Sequence, residues 1–191
     1  MRTFVALNLA AETRSALHAA TAPLRGAIGR GVSWAREPAL HITLKFLGER
    51  ADEFATRLVD ALEQALRDTP QVVLDVGGFG AFPSPARPRV LWVAVRANPA
   101  LSRLYQAVES AAAALGVERE SRAFHPHVTL GRVRDGVRLD VERLAAVGSA
   151  IRFAARERVG TVDLMESVLG RGGASYRVVR AIPLRHDERE G

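Results

Sequence analysis

One tetrapeptide pattern, His-x-Thr-Leu, occurs twice in this 191-residue chain, as His41-Ile42-Thr43-Leu44 and as His127-Val128-Thr129-Leu130. In an extended strand, residues i and i+2 share a face. Each copy therefore sets an imidazole beside a hydroxyl and sends two aliphatic side chains the other way, toward a core. The offset of 86 residues between the copies also lays FVALNL (4–9) on VLWVAV (90–95). The repeated unit reads as strand, helix, HxTL strand, helix, strand. Two such units predict two pseudo-twofold-related lobes around a central cleft, with one motif on each side.

This pattern decides the fold class. Strands interleaved with helices would also suit a parallel, doubly wound sheet. No Gly-rich phosphate loop follows the first strand, however, and several strands read as hairpin partners. The repeat itself implies two similar lobes rather than one continuous sheet. The expectation is α+β, each lobe a mainly antiparallel sheet with helices. With no linker in view, residues 1–191 are taken as a single bilobal domain.

Along the chain, residues 2–10 predict a strand. A helix follows from Ala11, with Leu17, Leu24 and Ile28 as its apolar contacts and Pro23 interrupting it. VSWAREPALHITLKFLGE (32–49) reads as two extended pieces around a turn at Pro38. A helix over 52–67 presents Phe54, Leu58, Leu62 and Ala65. A strand over 71–82 gives way to FPSPARPR (82–89), whose prolines predict a loop, and then to a strand over 88–95. Asn98 caps the next helix with Pro99 at its first position, and Gly116 follows its end. The second motif lies on a strand over 125–133, and a short helix follows at 139–147. Residues 160–170 and 174–184 form a hairpin around RGG, and RHDEREG is a frayed tail.

Composition narrows the function. The chain has no Cys, which removes disulfides, thiol nucleophiles and thiolate metal ligands and agrees with a cytoplasmic location. No apolar run reaches the roughly 18–20 residues of a membrane helix. The formal charge is +6, almost all from Arg, since Lys45 is the single lysine. A positive surface favours polyanions such as RNA. There is no nucleophile elbow for a Ser triad and no Walker A loop. The short His125-x-His127 spacing lacks the third and fourth ligands of a zinc site, so no metal and no cofactor are expected.

Two imidazoles and two hydroxyls, delivered by two strands, suit an in-line displacement at phosphorus. One His takes a proton from the attacking oxygen and the other gives one to the leaving oxygen. An ordinary imidazole pKa of ~6.5 lets a neutral and a charged copy coexist near neutral pH. Lys45, at i+4 from His41, either faces phosphate or is a solvated edge lysine. Arg132, at i+5 from His127, falls on the wrong face by strict alternation, and a phosphate role for it needs a bulge. Trp34, Phe46 and Phe124 are candidates for base stacking.

HITLKFLGE and FHPHVTLGR resemble the paired HxTx signatures of the 2H phosphoesterase superfamily. WAREPALHITLKFLGE, GGFGAFPSPARPRVLWVAV and RTFVALNL are similar to its prokaryotic RNA 2′,3′-cyclic phosphodiesterase branch, once called 2′-5′ RNA ligase. The likeness runs from about residue 2 to 184, and neither tetrapeptide departs from the signature. It implies hydrolysis of RNA or nucleotide 2′,3′-cyclic phosphate ends to 2′-phosphates, without metal or obligatory protein partner. His41 would be the proton donor and His127 the acceptor, with Thr43 and Thr129 on the non-bridging oxygens. The motifs are chemically equivalent, so only the resemblance orders the two histidines. Two other readings stand beside it: 2′-5′ ligation at the same site, and a non-enzymatic RNA-end binding module.

Overall fold

The computed structural model describes residues 1–170 and 173–186. The chain runs β1 (Arg2–Asn8), α1 (Ala11–Ala20), α2 (Ala22–Ile28), β2 (Val32–Trp34), β3 (His41–Glu49), α3 (Asp52–Leu66), β4 (Val72–Ser84), β5 (Arg87–Val95), α4 (Pro99–Ala114), β6 (His127–Val133), α5 (Val141–Ala150), β7 (Ala154–Val159), β8 (Thr161–Gly170) and β9 (Gly173–Pro183). Single turns of 3-10 helix at Gly29–Gly31 and Glu37–Ala39 flank β2, the second carrying Pro38.

Every ladder is antiparallel, in the order β7-β4-β5-β6-β3-β1-β8-β9, with β2 also on β6. The order is two four-stranded sets, β9-β8-β1-β3 and β6-β5-β4-β7, meeting at the two motif strands. The expected separation into two sheets is incomplete. Ile42 and Val128, both fully buried, pair across the middle and make the sets one sheet. Beyond that pair β6 turns to β2 instead, which bonds Val32–Trp34 to Gly131–Val133.

The two sets share their registers. Leu7↔Ile42 in β1·β3 corresponds to Val93↔Val128 in β5·β6, and Phe4↔Phe46 corresponds to Val90↔Arg132, each by a shift of 86. Even the irregularity recurs: the register slips between Val5 and Ala6 in one ladder and between Leu91 and Trp92 in the other. Strands are also exchanged. β4, from the first sequence unit, lies on β5, and β8, from the second, lies on β1.

One face of the sheet carries Val5, Leu7, Ile42, Leu44, Leu91, Val93, Val128 and Leu130 into a single core with Leu17, Leu24, Leu58, Leu62, Leu101, Leu104, Val108 and Leu144 of the helices. On the other face of β1, Phe4 and Ala6 form a small separate cluster with Met165. The first helical stretch is two helices: α1 ends before Thr21, whose hydroxyl donates to the Leu17 carbonyl, and Pro23 sits in the first turn of α2. In α3 the buried stripe is Ala55, Leu58, Leu62 and Leu66. Ala65, expected on it, is exposed, because the 3.6-residue period carries the stripe to Leu66. α4 begins as its cap predicts, with Asn98 Oδ1 accepting from Leu101 N at 2.9 Å.

Two elements differ from expectation. FPSPARPR is not a free loop: β4 runs on to Ser84, β5 starts at Arg87, and only Pro85 and Ala86 turn the hairpin. Two of its three prolines remain in the ladder, as Pro83↔Pro88. β7, with its alternating charges, had no apolar signal and is an edge strand on β4. Of the expected RGG turn, Arg171 and Gly172 lie outside the described residues, as does the tail beyond His186.

Candidate active site

The Ile42↔Val128 pair fixes the geometry of both motifs. In an antiparallel ladder centred there, His41 stands opposite Thr129, and Thr43 opposite His127. Ile42 and Val128 point into the core, so all four polar side chains share the other face. The pairing does not continue on either side, so the four face one another across a single-pair junction, near enough for the charge of His127 to act on His41.

Both rings are held the same way. Nδ1 of His41 lies 2.8 Å from the carbonyl of Ala39, and Nδ1 of His127 lies 2.7 Å from that of His125. A carbonyl can only accept, so Nδ1 carries the proton in each ring and Nε2 is the nitrogen left for chemistry. His41 Nε2 is 3.2 Å from Thr43 Oγ1.

The surroundings break the symmetry that the backbone keeps. Phe4 stacks on His41 at 4.9 Å and Tyr176 meets the same ring edge-on at 5.2 Å. Around His127 stand Phe82 at 5.1 Å, Trp92 at 6.2 Å and His125 at 6.4 Å. Trp92 lies over Gly80, where a Cβ would come within 2.1 Å of the indole ring. Burial lowers the His41 pKa from 6.5 to about 4, against the Ala39 hydrogen bond and with help from the charge of His127. Burial also lowers that of His127; the His125 carbonyl opposes this, and the charges of His125 and Arg132 add to it.

A cleft of about 580 Å³ opens on this face, lined by Thr43, Phe46, Phe82, Phe124, His127, Thr129 and Arg132, among others. His41 is not part of its lining; the ring is packed in its aromatic collar and reaches the cleft through Thr43. Arg132 faces the cleft for the reason the sequence could only name as a condition. A bulge at Leu130 breaks the alternation: Leu130 and Gly131 are both buried, and Arg132 returns to the face of His127 and Thr129. The same bulge at Leu44 turns Phe46 to the cleft at 67% exposure and turns Lys45 inward.

Lys45 is thus not a solvated edge residue, and it lines the cleft from a buried position. It is buried, with Nζ 2.8 Å from Glu109 Oε1. Phe124 lines the cleft and stacks flat on Tyr105 at 4.0 Å. Trp34 does not line it; its indole donates to the Gly29 carbonyl and packs on the core. Arg89 and Arg122 also line the cleft and were missed, for Arg89 sat in an assumed loop and nothing in the sequence ties Arg122 to the motifs. Among the described residues, no cluster of three or more His, Asp or Glu is placed to hold a metal ion.

A family model described as the 2′-5′ RNA ligase superfamily matches residues 8–171. The chain belongs to this superfamily. An RNA 2′,3′-cyclic phosphodiesterase of Aeropyrum pernix is 34% identical over 73% of the chain and 78% of its own length. One of Archaeoglobus fulgidus is 30% identical over 94% and 98%. Among solved structures, superfamily member LigT of E. coli, complexed with 3′-AMP, superposes with a TM-score of 0.73 at 29% identity, over 96% of this chain and 97% of LigT. A protein of Thermus thermophilus reaches 0.79 at 27% identity, over 98% and 100%.

Proposed function

We propose that this chain is an RNA 2′,3′-cyclic phosphodiesterase, opening the cyclic phosphate at an RNA or nucleotide end to leave a 2′-phosphate. The observation that carries the reading is the meeting of two histidines and two threonines on one sheet face, each imidazole held at Nδ1 with Nε2 left over. The curated relatives of that name support it. Water attacks phosphorus in line with the 3′ oxygen. His127 Nε2, neutral as its lowered pKa favours, takes the water proton. His41 delivers a proton to the departing 3′ oxygen. Thr43, Thr129 and Arg132 bind the non-bridging oxygens, whose charge grows in the transition state. No step here uses a metal or an organic cofactor.

The low pKa of His41 has a direct consequence for this scheme: in the empty site the ring is neutral at pH 7. The proton it donates arrives with the anionic substrate, which stabilises the imidazolium. We also take the chain as one cytoplasmic domain formed by duplication, a reading supported by the shared registers and the absence of Cys.

Incubation with 2′,3′-cyclic AMP tests the activity. A 2′-phosphate product is expected; no turnover by the folded protein would leave a binding module. His41→Ala and His127→Ala should each lose at least ~10²-fold in kcat. A substrate with sulfur as the 3′ leaving atom needs little protonation and should rescue His41→Ala only; rescue of His127→Ala alone would reverse the two roles. Ligation is the same path backwards, and adding an RNA with a 5′-hydroxyl scores it.

A further inference from the structure

The nine residues between Val117 and His127 carry no helix or strand, yet they build one wall of the cleft with Glu120, Arg122, Ala123, Phe124 and His125. They also supply the carbonyl that holds His127, at His125. What fixes this wall is a buried pair that lines the cleft beside it. Lys45 of β3 and Glu109 of α4 are 6% and 3% exposed. Lys45 Nζ donates to the Glu118 carbonyl at 2.7 Å and lies 2.8 Å from Glu109 Oε1. Glu109 Oε2 accepts from Glu120 N at 3.1 Å. The approach to Oε1 is off the hydrogen-bond direction, and among the described residues that atom meets no hydrogen-bond geometry, so the pair holds by charge.

We propose that Lys45 and Glu109 are a positioning pair: they pin Glu118 and Glu120 at the root of the wall and thereby set the Phe124 platform and the carbonyl that orients His127. This rests on the function proposed above. Three features make the pin specific. Lys45 sits two residues after Thr43, so the bulge that turns it inward ties the first motif to the segment leading into the second. Glu109 lies one turn beyond Tyr105, on which Phe124 stacks, so one helix face holds the wall at both its charged root and its aromatic tip. The equivalent of Lys45 in the other half is Gly131, which has no side chain to make such a contact. The pin belongs to one side of the cleft and helps to make the two histidines different.

The test uses Lys45→Met, Glu109→Gln and the double variant Lys45→Met/Glu109→Met. Each is read by thermal melting, by kcat and KM on 2′,3′-cyclic AMP, and by NMR titration of the histidine C2–H signals. Glu109→Gln keeps an oxygen for Glu120 N and serves if Lys45→Met does not fold. Well below the melting temperature, KM should rise about tenfold and kcat fall. The His127 midpoint should move up toward the ordinary imidazole value as the wall loosens and water enters, while His41, in its own collar, keeps its midpoint. A lowered melting temperature with kcat, KM and the His127 midpoint unchanged would overturn the proposal, as would equal movement of both histidines. If the wild type turns over no cyclic nucleotide, the proposed function fails, but the His127 titration still decides the role of the pair.

Discussion

Acid should expose the cost of burying His41. In the unfolded chain this imidazole titrates at its ordinary value of 6.5, and in the folded protein at about 4. Between those values the unfolded chain holds a proton that the folded chain refuses. The stability linked to His41 is therefore complete above pH 6.5, declines as pH falls toward 4, and loses nothing further below it. The span of 2.5 pH units, at ~1.36 kcal/mol each, amounts to about 3 kcal/mol, a large share of the ~5–15 kcal/mol of a typical domain. Urea melts of the wild type and of His41→Gln at pH 7.5 and pH 4.5 isolate this share, because carboxylates and the other histidines contribute alike to both proteins. The wild type should lose about 2–3 kcal/mol more than the variant, from the same linkage. Inorganic phosphate should restore most of it at pH 4.5, since an anion about 4 Å from an imidazolium is worth ~4 kcal/mol at an effective dielectric of 20. Parallel losses in the two proteins, or no effect of phosphate on the wild type, would refute the account of His41 and of the proton taken up with substrate.

Arg132→Ala should raise KM for a cyclic nucleotide about tenfold, with Arg132→Lys recovering only part, because an ammonium cannot reproduce the planar two-pronged contact; steady-state kinetics reads this. Gly80→Ala should displace Trp92 and loosen the aromatic wall of His127, lowering stability by ~1–3 kcal/mol and shifting tryptophan fluorescence. An excess of EDTA should leave turnover unchanged; loss on chelation, restored by a divalent ion, would show a metal in the reaction.

The placement of the two His–Thr pairs was legible because it sits at period two. His41 with Thr43, and His127 with Thr129, needed only strand alternation to share a face. What followed each Leu was not legible, because the bulge inserts a residue without changing composition. In the first motif the slip is hidden, since Phe46 and Leu47 are both apolar and either could face inward. In the second it left a trace: buried Val128 and Leu130 are followed by Val133 rather than a residue at 132, an odd step that a pure strand does not make. Reading that step would have turned Arg132 to the cleft. The partner of Lys45 lies on a helix 64 positions away, beyond any local pattern. The collars of Phe4 with Tyr176 and of Phe82 with Trp92 arise from strands brought together only by the fold.

The exchange of strands between the halves also sets an order of events on the ribosome. β1 is made well before β8, and the ladder between them pairs Thr3 with Glu166. At ~5–20 residues per second, the roughly 160 residues between them take on the order of 10–30 s to synthesise. During that interval β1 can zip onto β3, but its other edge stays open, and Phe4 and Ala6 wait for Met165. Tyr176, on β9, arrives later still. His41 is therefore an ordinary, wet imidazole for most of the life of the nascent chain, and takes on its lowered proton affinity only when the C-terminal hairpin closes over it.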